Sequence, residues 1–164
     1  MHEQLEQFDH AAETQKKDFK TLFKKLEEQQ NLLASTPAIR PIDKGWISSK
    51  FGYRVSPFTG RKEFHRGLDL ATRQGDPIFA TADGLVTFSG TKGLLGKTIV
   101  IDHGHGMVTR YGHIYKILKK RGDRVKRGDI IALVGSTGHS TGPHVHYEVR
   151  LNGISVNPEK FILN

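Results

Sequence analysis

Cysteine is absent from the 164-residue chain, which removes disulfides, thiolate metal ligands and a cysteine nucleophile and leaves the compartment open. Long apolar runs are absent too: none approaches the roughly 18 residues of a membrane span, so no span is expected here. Met1-His2-Glu3-Gln4 has neither the basic flank nor the apolar core of an export signal, so any signal or anchor is expected outside this sequence. Charge balance is also missing, with 25 Lys and Arg against 17 Asp and Glu and a net +8. Residues 1–36 carry five basic and seven acidic groups and the remainder twenty and ten, so the excess of +10 belongs to the later part. A field of that sign favours a polyanion, whether nucleic acid, an anionic cell wall or an acidic membrane surface, and makes association salt-sensitive. A merely solvated basic surface is an equal reading. No aromatic interleaving or recognisable module supports nucleic acid, so no nucleic-acid partner is expected.

What is present divides in two. Leu5, Phe8, Ala12, Gln15, Phe19, Leu22, Leu26, Gln29 and Leu33 recur at alternating steps of three and four, the seam of a heptad, with no Gly or Pro between them. Residues 1–36 therefore read as one coiled-coil-like helix, ended at Ser35-Thr36-Pro37 and suited to a coiled-coil partner, to self-association or to packing on its own domain. Residues 37–45, with Pro37 and Pro41, read as a short stiff linker. From Trp46 onward short apolar runs alternate with glycine. Strands are expected around Ile78–Ala80, Leu85–Phe88, Thr98–Ile101, Met107–Tyr111, Ile130–Val134 and His144–Leu151. Asp83-Gly84 and Asn152-Gly153 are expected to be tight turns needing positive φ, and a short helix is expected near Ile114–Lys120. Gly75-Asp76-Pro77-Ile78-Phe79-Ala80 is echoed by Gly128-Asp129-Ile130-Ile131-Ala132, as in compact β-sandwich and half-barrel domains. Neither turn offers the exposed lysine of a biotinyl or lipoyl carrier.

Within the β-region lie His65-Arg66-Gly67-Leu68-Asp69 and His144-Val145-His146. Together they offer nitrogen and oxygen donors for a catalytic zinc site with an imidazole to spare. Three protein ligands leave zinc a fourth position for water, whose pKa then falls to about 7. In His-x-His both rings leave one face of a strand, so one can bind metal while the other reaches substrate. His-x-x-x-Asp suits one helical turn, but Gly67 and the following Leu68-Asp69-Leu70-Ala71 favour a loop leading into a strand. His113 joins these four as a candidate. His103-Gly104-His105 also has metal-like spacing, yet its glycines make it a turn after a strand. Glu148 reads equally as a carboxylate behind His146 or as a surface group. Gly135–Pro143, small and hydroxyl-rich, is expected to wall a cleft and lacks the Gly-Lys-Ser/Thr of a phosphate loop.

Phe51-Gly52-Tyr53-Arg54, His65-Arg66-Gly67-Leu68-Asp69, Gly75 through Gly84, Tyr111-Gly112-His113 and Thr141-Gly142-Pro143-His144-Val145-His146-Tyr147-Glu148-Val149 resemble, in order, the signature blocks of the lysostaphin-type, LytM-like zinc metallopeptidases of the M23 family. The resemblance implies a mainly β fold: an antiparallel β-sandwich or half-barrel peptidase domain over 46–164, behind the N-terminal helix. It implies that His65, Asp69 and His146 bind one Zn²⁺, that His144 is the general base, and that His113 hydrogen-bonds the oxyanion or assists proton transfer. Peptidoglycan peptides of the bacterial cell envelope, periplasmic or extracellular, are the implied substrate. His139 stands where related sequences often have arginine, which bears on substrate contacts. A catalytically silent relative that regulates another wall hydrolase is the alternative. Such relatives usually lack a ligand, and all three are present.

Overall fold

The computed structural model describes residues 2–162, excepting the side chains of 2–11. Two compact units result, Met1–Leu33 and Ala34–Asn164. The first is most of helix α1 (His2–Ser35). All seven expected seam positions with described side chains are exposed along it, Phe19, Leu22, Leu26 and Leu33 being the large apolar ones. Leu5, Phe8, His2 and His10 lie among side chains outside the described residues.

The second unit contains β1 (Trp46–Ser49), β2 (Gly52–Val55), β3 (Lys62–His65), β4 (Leu68–Ala71), β5 (Pro77–Phe79), β6 (Gly84–Thr91), β7 (Lys97–Gly104), β8 (Met107–Gly112), β9 (Lys116–Ile117), β10 (Arg124–Val125), β11 (Ile130–Leu133), β12 (His144–Leu151) and β13 (Ile154–Val156), with 3-10 turns at Gly93–Leu95 and Pro158–Phe161. The main sheet runs β1-β4-β12-β8-β7-β6-β10, with β13 also on β12; β5-β11-β9 form a second sheet and β2-β3 a hairpin. Ladders among the described residues are antiparallel, so the expectation of a mainly β, antiparallel fold holds. Alternation supplies the core: Leu68 and Leu70 of β4, Ile99 and Ile101 of β7, and Val145, Tyr147 and Val149 of β12 join Ile78 and Ile131 of the second sheet in one apolar cluster.

The Gly-Asp echo proves reciprocal. Gly75 N donates to Val134 O and Val134 N to Asp76 O, while Gly128 N donates to Ala80 O and Ala80 N to Asp129 O. Each half therefore closes the other's strand. Both glycines adopt positive φ, and Asp76 and Asp129 accept from the backbone three residues earlier. A third copy, Lys120 to Asp123, repeats the turn against Val86 on β6.

Two local expectations are corrected. Ile114–Lys120 is not a helix: Tyr115 N and Leu118 N donate to Leu133 O and Ile131 O, so the edge of β11 recruits this segment as β9. Asn152-Gly153 is the expected tight turn, with φ 49° and 82°. Gly84, in contrast, has no positive φ and is needed for space: a Cβ there would lie 2.6 Å from Asp102 O and 2.7 Å from His103 Nδ1. Residues 37–45 pack along the second unit, with Ile42 at 1% exposure in the core and Pro41 O accepting from Phe79 N. His103 is buried between Asp83 O and Thr109 Oγ1, at 2.7 Å from each, which gives it a structural role.

The crowding around Gly84 makes Gly84→Ala a test of this packing. Urea denaturation should show a loss of about 1–3 kcal/mol, the usual penalty for overpacking.

Candidate metal centre

Pairing of three neighbouring strands assembles the site. His146 on β12 stands opposite Asp69 on β4 and, across its other edge, opposite Gly112 at the end of β8. Gly112 delivers His113, which takes φ 59°, an uncommon left-handed conformation for a side-chain-bearing residue. His65 ends β3, and Gly67 lets the turn into β4 run against the His146 ring. A Cβ at Gly67 would sit 2.7 Å from His146 Cε1 and from Tyr147 O.

Asp69 Oδ1 lies 2.7 Å from His146 Nδ1 and 3.2 Å from His65 Nε2, and the two ring nitrogens are 3.1 Å apart. One donor atom from each residue falls within 4.8 Å of the others, a group able to hold a metal ion. The outward nitrogens fix the tautomers. His65 Nδ1 donates to Lys50 O at 2.8 Å, and His146 Nε2 faces Glu148 Oε1 at 3.2 Å. In neutral rings the inward nitrogens are then lone pairs, so three acceptors converge where only a cation, proton or metal, relieves them.

His144 and His113 flank this centre with ring centroids 4.6 Å apart. His144 Nδ1 donates to Gly142 O and His113 Nδ1 to Thr137 O, each at 2.8 Å. Their Nε2 atoms are thus the free positions, and His144 Nε2 is 3.8 Å from Asp69 Oδ1. Burial, helped by the nearby His144 and His146, lowers His113 to about 4 against the opposite pull of Thr137 O. The ring is neutral near pH 7.

Burial presses His146 down, but hydrogen bonds to Asp69 and Glu148 reverse this and raise it to about 8. Asp69 is held well below the usual carboxylate range because its bonds to His146 and His65 outweigh burial. Glu148 is buried behind His146 and not a surface group; its bond to His146 and the Arg110 guanidinium at 3.2 Å overcome desolvation and lower its pKa.

Arg54, to which the sequence motif assigns no role, stands beside the centre. Its Nη1 donates to Asp69 Oδ2 at 3.0 Å and to Ser49 Oγ at 2.7 Å, while Nε pairs with Glu63 at 3.0 Å. It occupies the outer carboxylate oxygen and leaves Oδ1 facing the histidines. Lys50 O and Thr137 O are backbone atoms that no side-chain pattern announces.

All five candidates line one cleft of about 480 Å³. Ser140 and Thr141 wall it from the 135–143 loop, as expected, and Phe58 stacks on His139 with centroids 3.6 Å apart.

A sequence profile of peptidase family M23 matches residues 63–158. The DD-carboxypeptidase/endopeptidase Mpg of Neisseria meningitidis serogroup B is 47% identical over 120 residues, 73% of this chain and 28% of that protein. The peptidoglycan DD-endopeptidase ShyA of Vibrio cholerae serotype O1 is 43% identical over 122 residues, again 73% of this chain and 28% of the other. The chain thus spans little more than a quarter of these curated relatives. The crystal structure of a zinc-containing peptidase from Vibrio cholerae superposes with a TM-score of 0.69 at 42% identity, covering 74% of this chain and 39% of that one.

Two outcomes test the centre. Arg54→Met should weaken metal binding by about 10- to 100-fold in competition with a chelating dye, and Arg54→Lys should restore part of it. The pKa of His146 in the metal-free protein exceeds its ordinary 6.5, so its stabilisation is complete below that pH and lost as pH rises through about 8. Urea titrations with chelator should show that decline. Metal affinity should instead rise over the same window, because binding expels the His146 proton.

Proposed function

The chain belongs to peptidase family M23, and from that premise we propose that it is a zinc endopeptidase cleaving the peptide cross-links or stems of bacterial peptidoglycan. The observation that carries this reading is the convergence of His65, Asp69 and His146 with two further imidazoles in one cleft. The names of the relatives support the substrate class. In this reading residues 46–164 form the catalytic domain, 1–36 a helical segment and 37–45 the connection. The setting is the cell envelope, periplasmic or extracellular. The exposed stripe of α1 supports a coiled-coil partner or self-association. No described helix is long and apolar enough to cross a membrane.

His65 Nε2, His146 Nδ1 and Asp69 Oδ1 would hold the zinc, and the mixed nitrogen and carboxylate donors suit it. Bound zinc supplies Lewis acidity and lowers the pKa of a water toward 7. His144, tied at Nδ1 to Gly142 O, offers the Nε2 lone pair that takes the proton of the attacking water and passes it to the leaving amine. His113, neutral and tied at Nδ1 to Thr137 O, likewise exposes a lone pair, which favours proton transfer over oxyanion donation. The silent, regulatory alternative draws no support from this complete donor set.

Purified sacculi provide the assay. The protein should release soluble peptides, and a chelator should stop it. His144→Ala should keep its metal yet lose about 100-fold or more in kcat. His65→Ala, Asp69→Ala and His146→Ala should lose metal and turnover together. A fully active His144→Ala would remove that residue from the base role.

A further inference from the structure

The chain has one tryptophan, Trp46, and it is 66% exposed at the start of β1. Leaving an indole in water forfeits much of its burial energy, which an occupant would recover. Its presentation is built. Gly45 takes φ 116°, and a Cβ there would lie 2.2 Å from Ala71 O, so the chain passes tightly over β4 before Trp46 pairs with Ala71. Beside the indole is a groove of about 460 Å³ lined by Arg40, Gly45, Trp46, Ile47, Glu159 and Ile162. Arg40 brings hydrogen-bond donors and Glu159 acceptors. Arg40 is anchored to Gly45 O at 3.4 Å and Glu159 to Lys50 at 3.5 Å. With Glu159 paired to Lys50 and one cation and one anion in a lining that also holds an indole and two isoleucines, the groove selects no ion. It suits a neutral ligand with hydroxyl and amide groups around an apolar face, the chemistry of an N-acetylated sugar ring.

Strand β1 links this groove to the metal centre. Trp46 opens it, and Ser48 and Ser49 at its far end line the catalytic cleft. The three steps from Trp46 to Ser49 span about 10 Å. β1 is also the last strand of the main sheet, with β4 on one side only among the described residues.

We propose that the Trp46 groove is a carbohydrate subsite that binds an N-acetylated sugar of the glycan to which the cleaved peptide is attached. The role in substrate binding rests on the proposed peptidoglycan reading, whereas sugar binding itself does not. An indole packs on the apolar face of a pyranose, and Arg40 and Glu159 meet its acetamido and hydroxyl groups.

With one tryptophan, emission excited beyond the tyrosine band reports this site alone, with no need of turnover. Titrating the full chain with an oligomer of N-acetylglucosamine should give a saturable change in Trp46 emission, and Glu159→Gln should weaken it about tenfold. Trp46→Ala should lose about tenfold in kcat/KM, mainly through KM, on a sugar-bearing muropeptide while cleaving the sugar-free peptide at the original rate. Emission unchanged by the oligomer overturns the proposal. So does a sugar-free stem peptide that gives the same saturable change, since the groove would then be a peptide site. Failure of Trp46→Ala and the unaltered protein alike to cleave either substrate would defeat the peptidase reading, and the emission titration would still decide the groove.

Discussion

The register of β12 against β4 is the constraint on which the site depends. Placing His146 opposite Asp69 and His144 opposite Ala71 puts both histidines of the pair on the face that carries the carboxylate. A slip by one residue would turn both rings into the apolar core and bring Val145 out. The register is secured from several directions: Tyr147 and Val145 are buried on the opposite face, β8 pairs along the other edge from His146 to Leu151, and the Asn152-Gly153 turn returns the chain as β13. The apolar core and the metal centre are the two faces of one alignment.

Around that alignment, orientation comes largely from atoms outside the candidate donor set. Four imidazoles each spend one nitrogen on a fixed acceptor, three of them backbone carbonyls and one the Glu148 carboxylate. Arg54 does the corresponding work for Asp69 through its second oxygen. Each ring therefore has one nitrogen left to direct inward.

The strands that carry the candidate donors are legible in the sequence because alternation and His-x-His spacing carry over directly into a pleated strand. Elsewhere the local signal misled. Ile114–Lys120 carries no glycine and reads as a helix, but the unpaired edge of β11 outweighs that propensity. The third Gly-Asp turn has no clear signal in the sequence because it feeds Arg124-Val125, too short and polar to resemble a strand. Asp83-Gly84 suggests a need for backbone freedom, whereas the value of Gly84 lies in having no side chain beside Asp102 and His103, a fact that belongs to the tertiary structure. Lys50 O and Thr137 O are invisible for a related reason: every residue has a carbonyl, and only the fold selects which one meets a ring.

The separation of the inward-facing donors along the chain has a consequence for biogenesis. His146 follows Asp69 by 77 positions, and the strand that carries it comes after eleven others. A polypeptide grown through β4 but not yet to β12 holds one carboxylate and one imidazole of the cluster, too few to capture a cation firmly. A chain cut before β12 would lack both the third donor and the strand that lies between β4 and β8, so capture of a cation is tied to completion of the main sheet.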